Sequence, residues 1–259
     1  MRAWIHPLHM GLHMKSIHRS LGLRKAMLGI CLAACLPAAE AALTISNTRV
    51  VHSSDARNSS IVVANPSTKV FAVQTWVNTH EDDTNTPVPL IANPSLFRLD
   101  PGMEQLVQIQ NLPNDLPSDR ESLFYFNAQE IPQAEEPGEN TLNIAMRTRI
   151  KVFYRPSQLQ GRPEDQAKHL QWSLRKIEGV PHLVVNNPTP YHYTFSRLEL
   201  TNGKQTEKVR SMAMAIPFGE QTYKLSNTPL QTTLQLTFST INDYGVASAA
   251  TTIALQLDK

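Results

Sequence analysis

The 259-residue chain has two cysteines, Cys31 and Cys35, and both lie within its first 41 residues. Past that point no disulfide can form, so the fold must be held by buried apolar surface, which the length allows. Glycine is scarce, ten residues against eighteen prolines, and proline belongs at sheet edges and turns because it cannot donate to a central ladder. No run is apolar enough to cross a membrane as a mature helix. Catalytic signatures are missing as well. There is no nucleophile-elbow pattern, no phosphate-cradling glycine loop and no HExxH, and the five histidines beyond residue 41 are scattered. The acidic groups Glu81-Asp82-Asp83 and Glu135-Glu136 sit in turn-like polar stretches, which suit a solvated surface better than paired acid and base. An enzyme is therefore not expected, and neither is a metal or other cofactor.

A large charge of one sign is also lacking. The formal net charge is +2, but five of the 24 basic residues and one of the 22 acidic ones fall in the first 41 positions, so the rest carries −2. Nucleic-acid binding loses its support. Those first 41 residues read as a secretory signal. Arg2, Lys15, Arg19, Arg24 and Lys25 precede an apolar run from Ala26 to Leu36, and Ala39-Glu40-Ala41 gives an A-x-A site with cleavage expected after Ala41. Leu32-Ala33-Ala34-Cys35 offers an alternative, a lipoprotein box that would leave Cys35 acylated, but the apolar run before it is short.

Beyond the leader, short β-rich runs alternate with turn signals. Strands are predicted near Leu43–Ser53, Ser60–Ala64, Val70–Asn78, Ser95–Leu99, Gln105–Gln110, Leu123–Glu130 and Leu142–Tyr154. Their number and spacing fit an immunoglobulin-like sandwich. A linker follows from Pro156 to Glu164, with one helical turn after Pro163. Alternation then resumes at Leu170, Trp172 and Leu174, with further strands near Leu183–Val185, Tyr193–Leu200, Val209–Ile216, Leu234–Phe238 and Ala250–Leu257. The expected architecture is all-β: a signal peptide over 1–41, an immunoglobulin-like domain over 42–156, and a second β-sandwich domain over 157–259.

The richest stretch is NTLNIAMRTRIKVFYRP, Asn140 to Pro156. Leu142, Ile144 and Met146 recur at every second residue, so their side chains leave one face of an extended strand together. Arg147, Arg149 and Lys151 fall on the opposite parity. Such a strand combines backbone hydrogen bonds, apolar knobs and a positive anchor, which capture of another chain by strand addition requires. Alternation of this kind is also common in ordinary sandwich cores.

Four motifs carry a more specific likeness: LPSDRESLFYFNAQEIP from Leu116, IKVFYRP from Ile150, NNPTPYHYTF from Asn186 and INDYG from Ile241. In this order and spacing the chain resembles the PapD-type periplasmic pilus chaperones, from about Leu43 nearly to its C-terminus. It departs from the pattern at Ala128, where a larger aliphatic residue is usual, and at Gln133. The resemblance implies two immunoglobulin-like sandwiches at an angle, with a cleft between them. It implies that Arg49 and Lys151 grip the terminal carboxylate of a pilus (fimbrial) subunit by charge-assisted hydrogen bonds. It further implies that Asn140, Leu142, Ile144 and Met146 form the donor strand completing the subunit's sandwich, in a register fixed by that anchor. Glu121, Arg155 and Asp243 match an interdomain ion-pair network. Delivery to an outer-membrane usher is implied too, and the short Pro132–Leu142 connection fits the short-loop branch of the family. An exposed apolar edge would also favour a self-capping homodimer.

Two other readings compete. A pilus subunit or adhesin would carry a disulfide and end in a strand with a penultimate aromatic, whereas this chain ends Ala-Leu-Gln-Leu-Asp-Lys with no mature cysteine. A carbohydrate-binding sandwich would want exposed aromatics on one face, and only Trp76 and Trp172 follow the leader.

Overall fold

The computed structural model describes residues 43–83, 85–131, 144–203, 205–211, 213–226 and 234–255. The leader with its two cysteines, and the donor-strand residues Asn140 and Leu142, lie outside the described residues.

The first domain is a two-sheet sandwich. Its smaller sheet has the order β1-β3-β7-β5, built from β1 (Thr44–Ile45), β3 (Asn58–Ala64), β7 (Glu104–Asn111) and β5 (Leu90–Asn93). The larger has the order β2-β9-β8-β4-β6, built from β2 (Arg49–Ser53), β9 (Arg147–Arg155), β8 (Ser122–Ile131), β4 (Phe71–Asn78) and β6 (Leu96–Leu99). The alternation that predicts these strands decides their inner faces. In β4, Phe71, Val73, Thr75 and Val77 are buried while Ala72 and Gln74 are exposed. They pack with Ile61, Val63, Val107 and Ile109 of the facing sheet. Each fully buried aliphatic side chain contributes about 1.5–3 kcal/mol by leaving water.

Two expectations need correction here. The first strand is not continuous from Leu43 to Ser53: β1 pairs with β3, whereas β2 runs parallel to β9 in the other sheet. Residues 46–48 carry the chain across, with Ser46 N bonded to Val62 O at 3.0 Å. The seventh strand, expected over Leu142–Tyr154, begins at Arg147 among the described residues; Ile144, Ala145 and Met146 lie outside any strand. Within β9 parity does what the sequence requires. Ile150, Val152 and Tyr154 join the core, leaving Arg149, Lys151, Phe153 and Arg155 on the outer face.

The second domain follows a short helix, α1 (Pro163–Gln166), started by the proline at its first turn. One sheet has the order β10-β11-β14, from β10 (Gln171–Ile177), β11 (Val180–Asn187) and β14 (Gly219–Lys224). The other has the order β13-β12-β15-β16, from β13 (Gln205–Lys208), β12 (Phe195–Asn202), β15 (Leu234–Thr240) and β16 (Thr251–Leu255). Its core holds an aromatic cluster in which the Trp172 ring lies 5.2 Å from both Phe195 and Phe238. Trp172 is thus a packing residue, which removes one of the two aromatics a sugar-binding face would use. The Val209–Ile216 segment is not a strand. Val209, Met214 and Ala215 are buried, so the segment is apolar like a strand, but among the described residues its backbone is bonded at its ends, by Val209 N to Leu198 O and by the Tyr193–Ala215 bridge.

Candidate functional site

β2 and β9 lie side by side and parallel, with Arg49 and Lys151 as registered partners. Adjacent strands are roughly 4.8 Å apart, so two cations emerge together on the sheet's outer face. Arg49 is 8% exposed. Its Nη1 donates to the Ile241 carbonyl at 3.2 Å, and its guanidinium stands 5.7 Å from the Phe153 ring centre. Its Nε has no hydrogen-bond partner among the described residues. Burial lowers the Arg49 pKa, only partly offset by Asp243 and Glu121. Lys151 is half-buried, and its pKa is lowered by burial and then by the charge of Arg49. Among the described residues Lys151 has no ion-pair partner.

Its neighbours of the same parity are differently employed. Arg147 pairs with Asp82. Arg149 stacks 3.9 Å over the Tyr125 ring and donates to the carbonyls of Thr79 and His80. These two arginines pin the turn after β4, whose Asp82 has φ +61°. Of Arg147, Arg149 and Lys151, Lys151 alone stands beside Arg49.

Toward the C-terminal end of β9 the same crevice holds Glu121, Arg155 and Asp243. Arg155 Nε donates to Glu121 Oε1 at 2.8 Å, while Nη1 and Nη2 form a fork to the Asp243 carboxylate at 2.6 and 2.8 Å. Burial acts to lower the Arg155 pKa, but the hydrogen bonds and charges of Asp243 and Glu121 outweigh it and the net shift is upward. Glu121 begins the chain of bonds between the domains. Its Oε2 accepts from the backbone N of His192 at 2.8 Å, and its own N donates to Pro190 O at 2.9 Å.

The loop presenting Pro190 and His192 is built by Asn187, which is fully buried. Its Nδ2 donates to the carbonyls of Tyr191 and Ile216, and its Oδ1 accepts from Thr189. That explains the polar NNPTPYHYTF motif inside a domain core. A second loop, Ile241 to Val246, is closed by Asn242 Oδ1 accepting from the N–H groups of Tyr244 and Val246. Gly245 has φ +80° and lies against Thr48. The two sequence motifs by themselves assign no role to His192, Phe153, Asn187, Gly245 or the Ile241 carbonyl. The Asn-Asn-Pro-Thr-Pro run that opens the first motif is the signal that could have pointed there.

The apolar row is only partly in view. Ile144 and Met146 are 61% and 51% exposed. Five residues separate Met146 from Lys151, about 17 Å along an extended chain. Among the described residues no cluster of three His, Cys, Asp or Glu is arranged to hold a metal.

Fold and crevice together define a two-domain immunoglobulin-like protein with a basic pair, Arg49 buried and Lys151 half-buried, whose arginine bonds across to the second sandwich. Comparison with known proteins gives the class. Residues 42–160 match the family described as pili and flagellar-assembly chaperone, PapD N-terminal domain, and residues 165–252 match the C-terminal domain of the PapD pili assembly chaperones. The chain is 31% identical over 230 residues to the probable fimbrial chaperone YadV of Escherichia coli K12, covering 84% of this chain and 93% of that one. It is 35% identical over 212 residues to the chaperone protein PapD of Escherichia coli, covering 80% and 84%. The crystal structure of YadV superposes with a TM-score of 0.72 over 82% of this chain and 99% of that one, at 31% identity. The SafB chaperone, solved in complex with the SafA pilin of Salmonella enterica, is similar to the chain in a comparison giving a TM-score of 0.71, 26% identity and coverage of 83% and 96%. The chain belongs to the PapD family of periplasmic pilus-assembly chaperones, which are not enzymes.

Proposed function

We propose that this chaperone holds each pilus subunit by donor-strand complementation. Arg49 and Lys151 receive the terminal carboxylate of the subunit, and the residues leading into β9, Asn140, Leu142, Ile144 and Met146, fill the groove of its incomplete sandwich. The observation that carries this reading is the pairing of Arg49 with Lys151 across parallel strands, two cations whose pKa values burial lowers. A carboxylate there would supply the countercharge that neither finds in the other. The relative solved with a bound pilin supports a pilus subunit in the role of client. Energy comes from the subunit's folding against the donated strand, and the open edge of the captured molecule is shielded from aggregation.

In the full reading the protein is exported to the periplasm with residues 1–41 removed. Its first domain ends near Pro156, and Glu121, Arg155 and Asp243 hold the domain angle. It delivers subunits to an outer-membrane usher and caps its own apolar edge as a homodimer when free.

Periplasmic co-expression with pilus subunits tests the anchor. Wild type is expected to protect the subunit and co-purify with it, whereas Arg49→Ala and Lys151→Ala fold but leave it to proteolysis. Full recovery of the subunit with either variant would overturn the assignment.

A further inference from the structure

β8 and β9 part company at one pair of residues, in an unusual way. Their antiparallel register runs from Ser122–Tyr154 to Gln129–Arg147. The next pair in that register is Glu130 with Met146. In an antiparallel ladder alternate pairs exchange two backbone bonds, each N–H meeting the other residue's carbonyl. Here only one of the two is made: Glu130 N donates to Met146 O at 3.0 Å. The Met146 N–H instead donates to Glu130 Oε1 at 3.1 Å. The carboxylate has taken the place of its own residue's carbonyl.

The position of Glu130 makes the substitution consequential. It lies on the core-facing parity of β8 beside Phe126 and Ala128 and is 4% exposed. Its Oε2 has no hydrogen-bond partner among the described residues. Among the described residues the Met146 N–H is therefore the donor that this buried carboxylate holds. If β9 continued pairing toward its N-terminus, that N–H would return to the Glu130 carbonyl, and the buried carboxylate would lose its donor among the described residues, a costly change. Stopping the ladder at Arg147 keeps it satisfied. This also accounts for the gap between the alternating sequence, which runs through Ile144 and Met146, and the strand that is formed.

We propose that Glu130 is a positioning residue for the donated segment. It is a side-chain acceptor that competes with the backbone for the Met146 N–H and biases Ile144 to Met146 away from continuous pairing with β8. Resting on the donor-strand reading above, this gives the residue a role in release. A chaperone must yield its client, and an alternative acceptor at the root of the donated strand lowers the cost of leaving the fully paired form.

The test compares wild type, Glu130→Gln and Glu130→Ala by NMR in the free protein and by release from a loaded complex. In wild type the Met146 amide donates to the Glu130 side chain, so its proton shift should move upfield in Glu130→Gln, which retains an oxygen acceptor but not the charge, and in Glu130→Ala. In Glu130→Ala the ladder should extend, giving a cross-strand contact between the α-protons of Ile131 and Ala145 that wild type lacks. Release of the client to a competing donor-strand peptide should be roughly tenfold slower than in wild type, as expected for losing one charge-assisted hydrogen bond. A Met146 amide indifferent to Glu130, or no Ile131–Ala145 contact in Glu130→Ala, would overturn the proposal. So would unchanged release from a complex that wild type forms normally. If wild type forms no complex, the donor-strand reading fails instead, and the NMR results still decide the role of Glu130.

Discussion

Lys151 stands beside Arg49 on the neighbouring parallel strand, and the guanidinium further lowers an ammonium pKa already depressed by burial. A pair so placed costs stability in the free protein and becomes favourable when an anion arrives. If Lys151 receives the client carboxylate as proposed, stability and function pull in opposite directions at one residue.

The first prediction follows with its sign. A lysine whose folded pKa lies below its unfolded value destabilises the fold while it is charged. Between those two values the unfolded chain binds more protons, so stability rises with pH. Lys151→Met should therefore be as stable as wild type or more so in urea at neutral pH, and should lose part of the alkaline rise, yet fail to capture its client. In wild type, binding of a peptide that matches the C-terminus of the client should take up protons at alkaline pH as the carboxylate restores the ammonium. Calorimetry in buffers of different ionisation enthalpy measures this.

Arg155 is the second case. Its side chain is 19% exposed, and it faces Glu121 at 2% and Asp243 at 32%. Removing one member of a buried pair leaves an uncompensated charge, at a cost of about 3–5 kcal/mol. Arg155→Ala should approach that figure, since it strands Glu121. Asp243→Asn should cost less, because the remaining carboxylate is the better buried partner and Arg155 keeps it. Arg155→Lys should rescue little, since one ammonium cannot serve a fork to Asp243 and an Nε bond to Glu121 together. Urea denaturation of the three variants gives the order.

How much of the molecule is legible in its sequence varies with the physics. Strands with one buried face declare themselves by alternation, so β4, β8 and most of β9 are visible there. β5 and β14 are not. Leu90–Asn93 is short and enclosed between Pro89 and Pro94, which read as turn, and Gly219–Lys224 buries a single side chain, Tyr223. The break between β1 and β2 is hidden because both halves are apolar and only the pairing partner changes. Arg49, Lys151, Glu121, Arg155 and Asp243 are reached through the motif likeness. Periodicity alone cannot show that residues 192 positions apart, Arg49 and Ile241, share a hydrogen bond. Nor can it separate Lys151 from Arg147 and Arg149, because the turn that engages those two comes from another part of the chain.

Gly245 supports a third prediction. Its φ of +80° disfavours any side chain, and a Cβ there would collide with the Oγ1 of Thr48, the residue before Arg49. Gly245→Ala should lose about 1–3 kcal/mol for the strained backbone conformation and weaken client capture by shifting Arg49. Adding Thr48→Gly should restore capture more than stability, since it removes the collision but not the φ penalty. Co-purification and urea melts separate the two effects.

The last prediction concerns acid. His52 is fully buried on β2, its Nδ1 is 3.0 Å from Ser59 Oγ, and it is stacked on Tyr154 with ring centres 6.0 Å apart. Burial lowers its pKa from the ordinary 6.5. The folded state therefore keeps the ring neutral at pH values where the unfolded chain has already protonated it. Below pH 6.5 the unfolded state binds the extra proton, and stability falls with pH until the lowered folded pKa is reached. The slope contributed by one such group cannot exceed about 1.4 kcal/mol per pH unit. His52→Gln has no titrating ring, so as pH falls below 6.5 its stability should drop less steeply than that of wild type, even if it starts lower through poorer packing on Tyr154. Parallel slopes for the two proteins would mean that acid sensitivity arises elsewhere. Because Val50, Val51 and His52 continue the strand that carries Arg49, acid loosening of β2 should also weaken client capture over the same pH interval in wild type, and less so in the variant.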